Sequence, residues 1–278
     1  MVYDSDYREA TIAALETATP ITAQGADTPG VFVVPTNVSR ITEIRITAMA
    51  AVADDAVMGF SSAIHIYGGG VVLGEGWFPG PTGILDSVAV YSSTTPANEP
   101  QIYLTNIPVV AGGQFAIDGY MLGEDIGALH LVVNIVYDGP VVGKIVDMDY
   151  RSIDLTTANA LVTLTERGAA SVEGDIKPMR RTIGELFIGY GDKIAASSAA
   201  AGFAVHLSGP GLLSAGNYKF AGRGIVLHGD VGSAGDIRPL TQYKCGIQTK
   251  INNPIRIQAV MLEGDMGTAY SICGFAYY

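Results

Sequence analysis

The chain contains an internal repeat, and this repeat limits the folds open to it more than any other feature. Three pairs of segments match in the same order at offsets of 142, 141 and 140 residues, namely 41–46 with 183–188, 63–72 with 204–213, and 117–127 with 257–267. One match could arise by chance, but three collinear matches at nearly constant offsets could hardly do so. The sequence therefore predicts two similar units of about 140 residues each.

Both units have the pattern of β-structure. Residues 44–47 alternate between apolar and polar, which places one set of side chains on one face of a strand. The near-continuous apolar run 129–136 is typical of a strand covered on both sides. The 35 glycines and 13 prolines interrupt the chain at short intervals, which favours many short strands. We expect an all-β fold, with hairpins at 122–127 and 262–267 joining the last two strands of each unit.

The pattern also predicts the order of the segments. Residues 1–20 are expected to form an N-terminal arm or short helix, capped at Ser5 or Asp6. The first β-barrel unit is expected over 21–145 and the second over 176–278. Residues 146–175 are predicted to be a linker, with a second candidate helix over 156–170 and two acidic residues at 147 and 149 that carry no further role.

The composition argues against nucleic acid and favours contact with other protein. A net charge of −11 would repel a phosphate backbone. Only 15% of residues are charged and 48% are hydrophobic, which predicts that much of the surface is buried against other subunits. No apolar run is long enough for a spanning helix, and the acidic N-terminus lacks the features of a signal peptide. We therefore expect the chain to be made and assembled in the cytoplasm.

Two tandem β-barrels could be a bicupin metalloenzyme, so the histidines are the first candidates for chemistry. A cupin site needs two histidines one residue apart, a carboxylate and a further histidine. His65 and His206 occupy equivalent positions, but each stands without the second ligand. His130 corresponds to Tyr270, and His228 has no counterpart. We expect no metal and no cofactor, and interpret His65 and His206 as outward-facing positions copied by duplication, of unknown role.

Other patterns are equally weak as signs of catalysis. The acidic pairs Glu124/Asp125 and Glu263/Asp265 could hold calcium, but tight turns also use such residues. Glycine runs at 68–70 and 74–76 follow a strand, but no helix follows them, so no helix-end anion site is predicted. The sequence contains neither a nucleophile elbow nor a phosphate-binding loop. We expect that the protein is not an enzyme.

An aromatic segment and the cysteines complete the candidates. Trp77 and Phe78 resemble an exposed loop that packs on a neighbour or binds a sugar, with a buried or interface role favoured over a sugar platform. This loop has no counterpart in the second unit. Cys245 and Cys273 could pair, although two thiols in a large domain are more often ordinary buried residues.

The duplicated barrel, the N-terminal arm, the low charge and the missing catalytic motif together resemble the double jelly-roll major capsid proteins of the adenovirus and tectivirus lineage. The resemblance is architectural, covers about residues 30 to 278, and includes no motif that can be matched residue by residue. It implies two tandem jelly-roll-like sandwiches, and three chains forming a pseudo-hexagonal capsomer. The chain departs from the family in being compact, with little room for tall loops.

The resemblance implies a structural protein of the virion, assembled in the host cytoplasm. Its partners would be copies of itself in a homotrimer and a capsid lattice, with penton or minor capsid proteins and an internal membrane as further partners. The alternative is a carbohydrate- or receptor-binding β-sandwich protein, such as a lectin, spike or adhesin, that uses the Trp77 loop.

Overall fold

The computed structural model describes residues 4–51, 58–85, 99–123, 126–168, 170–180, 182–192, 200–213, 218–226, 236–262 and 269–278. Its regular elements are all strands, which confirms the all-β prediction. In chain order they are β1 (Asp4–Ile12), β2 (Thr19–Pro20), β3 (Phe32–Val33), β4 (Arg40–Ala51), β5 (Met58–Tyr67), β6 (Trp77–Leu85), β7 (Gln101–Pro108), β8 (Gln114–Gly123), β9 (Ala128–Tyr137), β10 (Asp147–Leu155), β11 (Val162–Thr163), β12 (Glu166–Arg167), β13 (Ala170–Ser171), β14 (Asp175–Ile176), β15 (Thr182–Asp192), β16 (Ala200–Ser208), β17 (Tyr218–Val226), β18 (Asp236–Arg238), β19 (Thr241–Gln248), β20 (Ile255–Leu262) and β21 (Ala269–Tyr277).

The strands form four antiparallel sheets, two in each half of the chain. The first half contains β1 to β9 and the second half contains β10 to β21. In the first half the orders are β1-β9-β4-β7 and β6-β5-β8-β2. In the second half they are β10-β21-β15-β19 and β17-β16-β20-β11. Replacing β1, β9, β4 and β7 by β10, β21, β15 and β19 therefore reproduces the sheet order. Side chains between the two sheets of each half form its hydrophobic core.

The pairing registers correspond as closely as the sheet orders. Ile41 lies opposite Tyr137, and Ile183 lies opposite Tyr277. A β-bulge follows Ile41 in β4 and Ile183 in β15. Asp4 also lies opposite Tyr137, and Asp147 lies opposite Tyr277, so β1 and β10 correspond at an offset of 143. This correspondence extends the series of offsets found in the sequence to the start of the described chain.

Two segments differ from the predictions. Residues 4–12, expected as an arm or short helix, form strand β1, and residues 147–155, expected within a linker, form strand β10. The second candidate helix is a turn followed by the short strands β11, β12 and β13. The reason is tertiary: β1 and β10 each pair along nine residues with the last strand of their own half, and this pairing overrides a weak local helix signal.

Candidate functional site: the junction between the two halves

The two halves pack against each other through unlike faces. The outer face of the sheet β10-β21-β15 lies on the outer face of β5 and β6. Phe187 of β15 contacts Tyr103, with ring centroids 4.8 Å apart, and Gly274 of β21 lies against Pro79 of β6. Strand β18 also leaves its own half and pairs with β6. Side chains from the second half join the first hydrophobic core, namely Met148, Tyr150, Phe187, Leu240, Tyr270, Ile272 and Ala276.

Asp147 fixes one end of this junction. Its carboxylate is fully buried and accepts hydrogen bonds from the backbone N–H groups of Gly74, Glu75 and Gly76, at 2.9 to 3.2 Å. The N–H of Met148 donates to the same carboxylate at 2.9 Å. Consecutive N–H groups that converge on an anion form a nest, which compensates a buried negative charge without a helix end.

The nest explains the glycine run that the sequence left without a role. A Cβ atom at Gly74 would collide with the Asp147 carboxylate and the Met179 methyl group. Gly76 has φ +69°, and a Cβ atom there would collide with the carbonyl oxygen of Ile66. Both positions therefore require glycine. The sequence reasoning correctly found no helix after this run, but it missed an anion site built by the backbone alone.

A chain of charged side chains extends from Asp147 along the junction. Arg167 bridges Glu75 of the first half, at 2.8 Å, and Asp149 of the second, at 3.1 Å. Asp149 also pairs with Arg151 at 2.8 Å, and its side chain is 4% exposed. These groups line a cavity of about 160 Å³. Because both carboxylates are matched by guanidinium groups, the arrangement clamps the two halves together.

Trp77 lies in the junction and not in an exposed loop. It begins strand β6, and its indole stacks on His65 with centroids 4.0 Å apart and planes 4° from parallel. The Arg167 guanidinium lies over the same side chain, 5.0 Å from a ring centroid, and Tyr120 lies 5.3 Å away. Phe78 is fully buried in the core of the first half. Residues 77 and 78 thus belong to a strand, one on each face, and do not form a loop.

The surroundings of His65 predict how the free energy of unfolding and the fluorescence of Trp77 depend on pH. Burial of the imidazole, helped by the nearby Arg167 cation, lowers the pKa of His65 below its usual 6.5, against the opposing effect of Asp118. The unfolded state then binds more protons below pH 6.5, so the free energy of unfolding should decrease as the pH falls through this window. An imidazolium stacked on indole quenches its fluorescence. We expect Trp77, the only tryptophan, to lose emission with a midpoint below 6.5.

The control for this titration is His65→Gln, which should remove the transition and leave the emission flat over the same range. A midpoint at or above 6.5 in the unsubstituted protein would contradict the lowered pKa.

The Asp147 strand carries a motif that the sequence reasoning missed. Strand β10 begins Asp-Met-Asp-Tyr-Arg and strand β1 begins Asp-Ser-Asp-Tyr-Arg, at corresponding positions. Arg8 pairs with Asp6 at 2.9 Å, as Arg151 pairs with Asp149. The shared Asp-x-Asp-Tyr-Arg signal is visible in the sequence and in each half lies N-terminal to the three matched pairs of segments.

The surroundings of the two motifs differ completely. Tyr150 is fully buried, whereas its counterpart Tyr7 is 40% exposed. Asp147 is buried, whereas Asp4 is exposed. The same contrast runs across the sheets: 270–277 of β21 is buried at every residue, while β9 alternates between buried and half-buried residues. The face that the second half buries in the junction is thus open in the first half.

The remaining candidates are placed as follows. His65 and His206 lie at corresponding register positions, opposite Asp118 and Gln258. Burial and the neighbouring Lys219 lower the pKa of His206. Cys245 and Cys273 are free thiols.

His228, Glu124/Asp125 and Glu263/Asp265 lie outside the described residues. Among the residues that are described, no three His, Cys, Asp or Glu side chains are grouped to hold a metal ion, and no helix could cross a membrane.

Comparison with known proteins gives distant structural likenesses only. No protein-family model matches the chain, and no curated protein matches it. A solved structure of PNGF-II is similar with a TM-score of 0.41 and 11% identity, over 98% of this chain and 66% of that one. A structure of infectious bursal disease virus, Gx strain, gives a TM-score of 0.23 and 12% identity, over 99% and 71%. Likenesses this weak assign neither a family nor an activity.

Proposed function

We propose that this chain is a structural protein that assembles with copies of itself, and that it is the major capsid protein of a virus or phage. Three copies would form a pseudo-hexagonal capsomer of an icosahedral shell. The chain would then act in the virion without catalysing a reaction, alongside penton or minor capsid proteins and, in a membrane-containing virus, an internal membrane.

One observation carries this proposal: a sheet that is buried in the second half has an open copy in the first. The junction joins two unlike faces. Outside it, the outer face of β1-β9-β4 exposes Tyr7, Arg45 and Met49, and the outer face of β17-β16-β20 exposes Lys219, Arg256 and Leu262. Unlike faces that meet head to tail generate a closed ring, or an open filament when the rotation does not close. A chain that contains one such contact and both of its free complements is suited to repeat that contact between copies.

The strand orders support the same proposal. Eight strands in two four-stranded sheets with these orders form a jelly roll, and we infer that both halves are jelly rolls related by duplication. Jelly rolls build viral capsids, but they also occur in lectins and cupins. The topology therefore limits the choice, and the open copy of the junction is what favours assembly.

Light scattering on the purified full chain tests the proposal. We expect a mass three times that of the 29.0 kDa chain. Negative-stain images of the same sample should show hexagonal outlines, single or in sheets and shells. A monomer at micromolar concentration that gives no sheets or shells would contradict the assembly function, and a glycan screen would then test the lectin alternative.

A further inference from the structure

The contact surface of the second half includes a short hairpin whose copy lies exposed in the first. In the second half Ser152 lies opposite Glu166, followed by Arg167 and Gly168 at the tip. In the first half Glu9 bridges Ala23 in the same way.

The two hairpin tips have the same backbone conformation. Gly25 and Gly168 have φ angles of +60° and +59°. The two hairpins therefore correspond residue for residue, and Gln24 takes the place of Arg167.

The side chains at this position make corresponding bonds. Arg167 donates from Nη1 to Asp149 at 3.1 Å, and Gln24 donates from Nε2 to Asp6 at 3.1 Å. Arg167 is held over Trp77 in the junction, while Gly25, the residue after Gln24, lies beside the hydroxyl of the exposed Tyr7. The first half thus presents a preformed copy of the contact edge that the second half uses.

The receiving surface has its copy as well. In the first half His65 of β5 lies opposite Trp77 of β6, and in the second His206 of β16 lies opposite Lys219 of β17. Lys219 is exposed and holds the position that Trp77 holds in the junction. The counterpart of residues 74–76 falls partly outside the described residues.

We infer that Asp4, Tyr7 and Gln24 of one copy dock against Lys219 of a second copy, in the arrangement that joins the two halves within one chain. This inference rests on the proposed self-assembly and names its surfaces. In the junction Tyr150 meets Trp77 edge to face, with ring centroids 6.0 Å apart. The same placement sets the ring of Tyr7 beside the Lys219 ammonium, a cation–π contact.

In the proposed contact between copies, Lys219 takes the place of Trp77 and Gln24 takes the place of Arg167, and these two replacements are compatible in charge. Within the chain, Arg167 faces an aromatic ring and Glu75. Between copies, an arginine at position 24 would face the Lys219 cation, and the neutral Gln24 removes this repulsion. The exposed Asp4 and the partly exposed Asp6 add negative charge to the edge that meets Lys219. Opposite charges across a contact favour the correct partner and disfavour others.

A charge-exchange experiment on the full chain tests the inference. Lys219→Glu would set a carboxylate against an acidic edge, and Gln24→Arg would set a second cation against Lys219. Each alone should weaken trimer formation at least about ten-fold, measured by mass photometry over a dilution series. Together they should restore it, because the new guanidinium then faces the new carboxylate. Lys250→Glu, a reversal at another exposed lysine, serves as the control and should leave the trimer unchanged.

The outcomes separate this inference from the proposed function. A trimer in the unsubstituted protein that Lys219→Glu weakens no more than Lys250→Glu would overturn the docking edge and leave self-assembly standing. Failure of the double variant to recover, with both single variants folded and dissociated, would also overturn the assigned contact. An unsubstituted protein that stays monomeric would overturn both.

Discussion

Asp147→Ala should lower the free energy of unfolding by about 3–5 kcal/mol, because it removes the anionic acceptor of the buried N–H groups of Gly76 and Met148 and of the partly buried N–H groups of Gly74 and Glu75. The N–H groups of residues 74–76 hold the first half against the second. Denaturation in urea, followed by the fluorescence of Trp77, reports on the same junction. We expect the junction to open at lower urea than in the unsubstituted protein.

The internal copy supplies the control. Asp4→Ala removes the same residue from the same position of the same motif, where the carboxylate is exposed and accepts from the N–H of Ser5 at 2.8 Å. We expect a change within about 0.5 kcal/mol in the free chain, since an exposed substitution leaves no buried group unsatisfied. Equal losses for the two variants would show that the nest is not what stabilises the junction.

Phe187→Ala should cost a similar amount, about 3–5 kcal/mol, for an apolar reason. The side chain is 1% exposed and packs edge to face on Tyr103 between the two halves. Truncation removes the transfer free energy of the ring and leaves a cavity that the closely packed sheets cannot fill. Thermal and urea unfolding of the full chain measure the loss.

Its counterpart again provides the comparison. At the offset of 142 that relates β15 to β4, Phe187 corresponds to Arg45, which is exposed on the open sheet. Arg45→Ala should change stability by less than about 0.5 kcal/mol in the free chain. If Phe187→Ala were equally mild, the two halves would not depend on this contact, and the junction would be less tightly packed than the structure indicates.

The two comparisons rest on one property of the molecule: closely similar sheets occur once buried and once open. At one corresponding pair the buried copy is apolar and the open copy is charged, namely Phe187 and Arg45. A permanent contact within a chain can use apolar residues freely, while a surface that is exposed before assembly must remain soluble. Under the proposed self-assembly, this difference is expected, because the chain would fold first and associate afterwards.

Much of the fold could be predicted from the sequence. Alternation and turn residues indicated β-structure, and the offsets of 142, 141 and 140 found strand pairs that share the same register. These signals lie in neighbouring residues or recur along the chain, so they can be recognised without the tertiary structure. The outward position of His65 followed from the same alternation, since Ile64 and Ile66 are buried on either side of it.

Little of the site could be predicted from the sequence. The sequence pattern predicts that residues 147 and 149 are acids in a linker and that Trp77 and Phe78 form an exposed loop. The Asp-x-Asp-Tyr-Arg motif could have joined β1 to β10 in the sequence search, but it could not have shown that Asp147 binds the backbone of residues 74–76. That contact joins residues more than seventy positions apart, and the glycines at 74 and 76 do not show which anion the neighbouring N–H groups bind.

The sequence by itself determined the strand class, the repeat and the face that each strand turns to its own core, because side-chain alternation in a strand has a fixed period of two. Only the tertiary structure decided which copy of each face is covered. Asp4 and Asp147 begin the same motif in the same register, yet one is exposed and the other is fully buried. Burial depends on what packs against a surface, and the neighbour of a sheet is not encoded in the sheet's own pattern.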